Sequence, residues 1–254
     1  MATSQSYNKI LIFGAGAVGG YFGSQLSLAG YHTEFIARGA RLEAFQEHGL
    51  TLEEQATGIR RTIHITAKSA PEGLYDLIII AVKSKDTRNA AEACRDHLAE
   101  NGIVLSLQNG VENVPLLEKI FGSDHVVGGV VSSGISVPEP GLIHYMPNPK
   151  ITIGGTSDRS KAHEEPLHEI FRLAGVNCLI TEDIYTALWQ KLLWNVAVNP
   201  LSAIMRATCG AMVSSPYAMA IMKALAIEVA AAAAVNGVTL TDDNVEKTFI
   251  IRED

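Results

Sequence analysis

Lys191, Asn195 and Asn199 recur at every fourth residue in an otherwise strongly apolar segment running from Tyr185 to Met205. On an α-helix that spacing puts the three side chains on one face, while Leu188, Leu192, Leu193, Val196 and Val198 occupy much of the rest. A lysine and two amides on one surface form a wall that can bind polar groups of a small molecule or hand a proton to one. Lysine and asparagine are seldom buried without partners, so on a helix this apolar the stripe requires a wet cleft or a ligand. The plainer alternative is the solvent face of an amphipathic helix.

A second constellation lies near the start. Gly14-Ala15-Gly16-Ala17-Val18-Gly19 follows the strand pattern Lys9 to Phe13 directly and opens a helix pattern from about Val18 to Ala29. This strand-to-helix context lifts a GxGxxG spacing above chance. Gly14 permits the tight turn, Gly16 lets the backbone approach a pyrophosphate, and Gly19 lets helix and strand pack closely. The helix N-terminus then offers oriented N–H donors to the phosphates. A structural glycine-rich turn is the alternative.

The end of the next strand, His32 to Ala37, bears on which dinucleotide is bound. An NAD site presents a carboxylate there for the ribose hydroxyls, whereas this chain reads Phe35-Ile36-Ala37-Arg38, with Arg41 one turn later. Arg38 can meet a ribose 2′-phosphate with charge-assisted bonds, which favours NADP. Glu34 in the same strand keeps NAD open, and both arginines could instead be ordinary surface residues. Lys83 follows the apolar run Leu77 to Val82, and Asn109-Gly110 follows the strand Ile103 to Leu107. Ligands of open α/β sheets bind outside the carboxyl ends of the strands, so both positions are expected to face a cofactor crevice. Taken alone, either could be a capping or turn residue.

These positions call for an alternation of strands and helices, and the first part of the chain supplies it. The strands named above and a helix pattern from Thr87 to Leu98 predict a doubly wound α/β domain with a parallel sheet. Between Leu50 and Thr66 the alternating runs Thr51 to Glu53 and Arg61 to Ile65 read as a short hairpin. Strand patterns resume at Val126 to Val137, Leu142 to Tyr145 and Ile151 to Ile153. From Asp183 the texture is helical, with Tyr185 to Met205, Pro216 to Asn236 and a start at Thr241, so residues 1–182 and 183–254 are expected to form two domains. A helix pattern is still developing at Asp254, and the second domain reads as C-terminally incomplete.

The bulk properties fit a globular chain. A length of 254 residues with 47% hydrophobic residues allows a substantial core. The formal net charge of -7 argues against a nucleic-acid groove or an anionic membrane surface as the main partner, so an anionic ligand would be held by a few placed cations. Cys94, Cys178 and Cys209 are far apart and odd in number, which fits a reducing cytoplasm and no disulfide or zinc framework. The polar start, Met1 to Asn8, lacks the form of a secretory signal. The apolar run Ala224 to Val235, broken by Glu228, falls short of the ~20 residues of a spanning helix and reads as a buried or helix-packing segment. Whether it packs within the chain or against a second copy is open, which leaves a homodimer as one arrangement. His144, His163 and His168 read as structural or surface residues, and no cluster has metal-ligand spacing.

Taken together, the Gly14 loop, Arg38, Ala81-Val82-Lys83-Ser84, Leu107-Gln108-Asn109-Gly110 and the segment Lys191 to Leu201 resemble, in that order and at similar spacing, the ketopantoate reductase (2-dehydropantoate 2-reductase) family. The resemblance runs through nearly the whole chain. It implies an NADPH-binding Rossmann domain joined to an all-helical domain resembling the C-terminal part of 6-phosphogluconate dehydrogenases, with a small 2-oxo acid bound in the cleft. It also implies the cofactor contacts Gly14, Ala15, Gly16, Ala17, Val18, Gly19, Arg38, Lys83 and Asn109. Lys191 is implied as general acid, with Asn109, Lys191, Asn195 and Asn199 holding the substrate, and with no metal. Two departures stand out: Cys209 occupies a place where the family often has asparagine, and a later serine and glutamate of the family fall beyond Asp254. These departures motivate two alternatives, a reductase of another 2-oxo acid and an NADPH-binding sensor without turnover.

Overall fold

The computed structural model describes residues 7–249. Residues 1–6, on which most of the leaderless reading rests, and residues 250–254, where the chain stops, lie outside the described residues. The chain divides into two compact units. One runs to Gln108 and resumes over Glu112–Ile184, and the other comprises Asn109–Val111 with the residues from Tyr185 onward.

The first unit is built in chain order from β1 (Lys9–Phe13), α1 (Ala17–Leu28), β2 (His32–Ile36), α2 (Ala40–His48), β3 (Leu50–Glu54), β4 (Arg60–Ile63), β5 (Thr66–Lys68), β6 (Tyr75–Ile80), α3 (Thr87–Cys94) and β7 (Leu98–Ser106). It continues through α4 (Asn113–Phe121), β8 (Val126–Ser132), β9 (Ile135–Glu139), β10 (Leu142–Tyr145), β11 (Lys150–Gly155), α5 (Asp158–Lys161), α6 (Glu164–Leu173) and β12 (Asn177–Ile180). Eight strands form one sheet in the order β5-β2-β1-β6-β7-β8-β11-β12. The pairs from β5 to β8 are all parallel, and β11 turns antiparallel to β8. The first six positions reproduce the doubly wound dinucleotide-fold order, with its reversal between β1 and β6. Ile10, Leu11 and Ile12 of β1 and Leu77 to Ile80 of β6 are fully buried, as continuous apolar runs must be when both faces of a sheet are covered. Phe22 and Leu26 of α1 and Leu167 and Phe171 of α6 pack into the same core.

The expected hairpin forms as β3 and β4, which pair antiparallel. It belongs to a second sheet, ordered β4-β3-β10-β9. That sheet corrects the reading of Val126 to Val137 as one stretch: it breaks at Ser133 and Gly134 into β8 of the large sheet and β9 of the small one. Alternation alone carries no information on which sheet a residue joins. The helix expected over Thr87 to Leu98 ends at Cys94 in a short 3-10 turn. β7 accordingly begins at Leu98 instead of Ile103, with a register shift opposite Tyr75 and Leu77.

The second unit contains α7 (Ile184–Met205, from Tyr185 on), α8 (Cys209–Val213), α9 (Pro216–Val235) and α10 (Asp242–Thr248). Trp189, Leu193, Ala197 and Val198 of α7 meet Ala218, Met222, Ala226, Val229 and Ala233 of α9 in one apolar cluster. The α9 positions fall three or four apart and so line one face. The Ser215 hydroxyl caps the start of α9 by accepting from the Ala218 N–H, and Pro216 follows at the first turn. The run Ala224 to Val235, expected to be buried or helix-packing, packs on the helical core along that face, while Ile227 and Val235 are exposed. The whole of α9 is also long and apolar enough to span a membrane by length and composition, which the shorter run was not, but it carries Lys223 and Glu228 on exposed positions mid-helix. Insertion would place both charges in hydrocarbon, at considerable cost.

Candidate active site

Main-chain bonds align the carboxyl ends of four neighbouring strands. The Ala15 N–H donates to Ile36 O (3.3 Å), the Ala81 N–H to Phe13 O (2.9 Å) and the Leu107 N–H to Ile80 O (3.0 Å). The Gly14 loop, Arg38 and Lys83 therefore leave the same edge of the sheet, at the reversal of strand order where such sheets bind ligands.

The Gly14 loop fits a pyrophosphate. Gly14 has φ +104°, and a Cβ there would lie 2.8 Å from Ala81 C and Val82 N, so this turn admits no side chain. Gly16 differs: a Cβ would meet nothing within 4 Å. It is the N-cap of α1, makes no side-chain cap bond, and no acidic residue stands in the first helical turn. Free N–H donors at an uncapped helix start, beside open space, suit a phosphate anion.

At the end of β2, Arg38 is exposed, whereas Glu34 is 4% exposed and committed elsewhere. Its carboxylate accepts from the Tyr75 hydroxyl at 2.6 Å and lies 3.1 Å from Lys68 Nζ and 3.4 Å from Lys9 Nζ. Lys9 and Tyr75 are the first residues of β1 and β6 and Lys68 the last of β5, so partners from three neighbouring strands hold the carboxylate. Burial pushes its pKa up, but the bonds from Tyr75 and Lys68 and the charge of Lys9 outweigh that and hold it below the ordinary carboxylate value. Glu34 is thus buried and engaged by Tyr75, Lys68 and Lys9. The first cation in position is Arg38.

Lys83 is exposed and extended, just before a 3-10 turn. Asn109 is exposed beside Gly110, whose φ is +103°. Although Asn109 follows β7 in sequence, Asn109–Val111 belongs to the helical unit, and Val111 packs on its core. Asn109 thereby shares one unit with Lys191, Asn195 and Asn199.

On α7, Lys191 and Asn195 are half-buried and Asn199 is exposed. The Asn199 amide donates to Asn195 Oδ1 at 3.3 Å, which confirms that positions four apart face each other. Among the described residues no carboxylate or carbonyl partners the Lys191 ammonium. Burial holds its pKa below the ordinary lysine value. An ammonium with an eased proton and no carboxylate beside it is suited to donate to a developing oxyanion. Pro200 lies within α7 and has no N–H to give, so one main-chain carbonyl a turn earlier lacks its helical donor beside Asn195 and Asn199.

Cys209 packs against the helical core as the first residue of α8. Two histidines serve the scaffold: His163 Nδ1 bonds the buried Tyr7 hydroxyl at 3.0 Å, and His144 lies 3.6 Å from Glu53. Sequence reasoning did not single out Gln108, Thr87 and Asn113, which are buried together at the ends of β6 and β7. Gln108 sits inside the Leu107 to Gly110 motif, the one available signal.

A Rossmann-type sheet unit with a glycine-rich crevice, followed by a helical unit carrying a lysine and amides on one face, defines a two-unit oxidoreductase. The model of ketopantoate reductase PanE/ApbA matches residues 10–158, and that of its C-terminal domain matches residues 183–252. The chain belongs to this family of oxidoreductases. It is 33% identical to a 2-dehydropantoate 2-reductase of Archaeoglobus fulgidus, over 87% of this chain and 72% of that one. A PanE/ApbA family ketopantoate reductase structure from Ralstonia eutropha JMP134 superimposes with TM-score 0.82 at 36% identity, covering 94% of this chain and 78% of that one. A D-mandelate dehydrogenase solved with NADH and anilino(oxo)acetate shares the fold, with TM-score 0.86 at 22% identity over 95% of this chain and 77% of that one.

Proposed function

We propose that this chain reduces 2-dehydropantoate to pantoate with NADPH, in the cytoplasm, as a step toward pantothenate. The observation that carries the reading is the half-buried ammonium of Lys191, with no carboxylate partner among the described residues, on one helix face with Asn195 and Asn199, in a member of this family. A nicotinamide cofactor, when bound, would supply the hydride for the substrate C2 carbon. Lys191 Nζ gives a proton to the ketone oxygen as negative charge develops there, a contribution of roughly 10²–10⁴-fold for positioned proton transfer. Asn195 and Asn199 hold the substrate's hydroxyl and carbonyl region, and Asn109 orients substrate and cofactor. The Gly14 loop takes the pyrophosphate on the N-terminus of α1, Arg38 the ribose 2′-phosphate, and Lys83 the nicotinamide side.

The test is the initial rate of NADPH absorbance loss with ketopantoate, set against a panel of 2-oxo acids and against NADH. NADPH-selective turnover of ketopantoate supports cofactor and substrate together. Cys209, the point at which the sequence departs from the family resemblance, favours a second reading in which the substrate is another branched or hydroxylated 2-oxo acid. Binding of NADPH with faster turnover of such an acid would replace the first reading with the second. Binding without turnover of any would leave a sensor.

A further inference from the structure

The polar residues at the ends of β6 and β7 form a continuous chain of bonds. Gln108 Nε2 donates to Val82 O at 2.9 Å and to Thr87 Oγ1 at 2.7 Å. The Thr87 hydroxyl donates to Asn113 Oδ1 at 2.9 Å, and Asn113 Nδ2 donates to Ser84 Oγ at 3.2 Å. Ser106 Oγ donates to Gln108 Oε1 at 3.3 Å, which fixes the orientation of the amide. Thr87 and Ser106 are at most 1% exposed, Asn113 4% and Gln108 6%. Buried polar groups bonded in this way are rigid, because any rotation leaves a donor or acceptor unmet.

The network's placement gives that rigidity a use. Val82 O belongs to the peptide that leads into Lys83, and Ser84 follows Lys83, so the network holds the main chain on both sides of an otherwise exposed lysine. Thr87 opens α3 and Asn113 opens α4, so both ends of the clamp are anchored in helices. We propose that Gln108, Thr87 and Asn113 are positioning residues that set the direction of Lys83 toward the cofactor. The inference rests on the reading of Lys83 as a cofactor contact.

The experiment is a double-mutant cycle read as NADPH dissociation constant by calorimetry, which needs no turnover and no substrate assignment. Thr87→Val keeps the shape and removes the hydroxyl; it is expected to weaken NADPH about ten-fold, the equivalent of 1.4 kcal/mol, while Thr87→Ser restores binding. In a Lys83→Ala background, Thr87→Val is expected to have no further effect. Should Thr87→Val fail to fold, Gln108→Glu serves: it sets a carboxylate oxygen against the Val82 carbonyl, and its loss should likewise vanish without Lys83. Losses that multiply in the double variant, or a Thr87→Ser protein as weak as Thr87→Val, overturn the positioning role. A Lys83→Ala protein that binds NADPH normally instead removes the Lys83 reading, and with it the route proposed for the network.

Discussion

Lys191 embodies a conflict between stability and chemistry that can be measured. Burial depresses its pKa, so the unfolded chain holds this proton more tightly than the folded one. The resulting penalty is fully present below the folded pKa and is relieved as pH rises through that value toward the unfolded one. Lys191→Met should therefore abolish turnover while raising stability at pH 7 by about 0.5–2 kcal/mol, toward the low end because the side chain is partly exposed. Urea melts alongside rate assays check both. With Lys191 as the proposed acid, kcat for reduction should fall with rising pH before the free lysine value of 10.5 is reached; a plateau extending past that value would remove Lys191 from that role. Arg38 tests cofactor choice separately. With Glu34 engaged by Tyr75 and Lys68, Arg38→Ala should weaken NADPH by about 10–100-fold, the worth of a charge-assisted bond, and leave NADH binding unchanged. Equal losses for both cofactors would place Arg38 away from the 2′-phosphate. The lysine stripe could be read from sequence because four-residue spacing is a property of the helix itself. The commitment of Glu34 could not, since its partners come from strands far apart in the chain.

Among the elements, the turn from β1 into α1 separates folding from binding within three residues. Gly14→Ala would force a Cβ to within 2.8 Å of Ala81 C at φ +104°, so it should destabilise by more than about 1 kcal/mol. Gly16 has φ -85° and open space beyond its Cα, so Gly16→Ala should melt close to the parent protein. Its methyl would stand in the way of the proposed pyrophosphate contact, and NADPH affinity should drop at least about ten-fold, or 1.4 kcal/mol. Calorimetry showing unchanged affinity for Gly16→Ala would end the cradle reading. The strand-turn-helix context of this loop is local, which is why sequence revealed it, along with β1, β2, β6, α1 and the long helices α7 and α9. Shorter elements escaped. α6 carries Leu167, Ile170 and Phe171 at helical spacing but only over ten residues with Pro166 in its first turn, and β12 is four residues long. The break between β8 and β9 depends on partners, Lys150 for Ser132 and Tyr145 for Ile135, that no local pattern names.

Over the whole molecule both units have apolar cores, and the sheet unit adds a network of ion pairs to its own. Among the ion pairs of the sheet unit the densest cluster is that of Lys9, Lys68 and Glu34, while the apolar cluster of the helical unit includes Trp189. Acid should therefore act on the sheet unit through Glu34. Its carboxylate is buried and its pKa lowered, so the stability it contributes is present above the ordinary carboxylate value and is lost as pH falls through the lowered one. Tyr75, whose own pKa burial and Glu34 push up to about 12, remains a hydroxyl donor throughout this range. Tyr75→Phe removes that donor from a buried carboxylate and should cost about 1–3 kcal/mol at pH 7. Protonation of Glu34 removes the charge that made the bond strong, so the difference between variant and parent should narrow as pH falls below the ordinary carboxylate range. Amide hydrogen exchange in β1, β2 and β6 reports this unit directly, while both tryptophans, Trp189 and Trp194, report the helical unit by fluorescence. A stability gap in the sheet unit that stays constant from pH 7 to acid would mean that the Glu34 charge contributes nothing, and that the cluster is held by packing around Tyr75 alone.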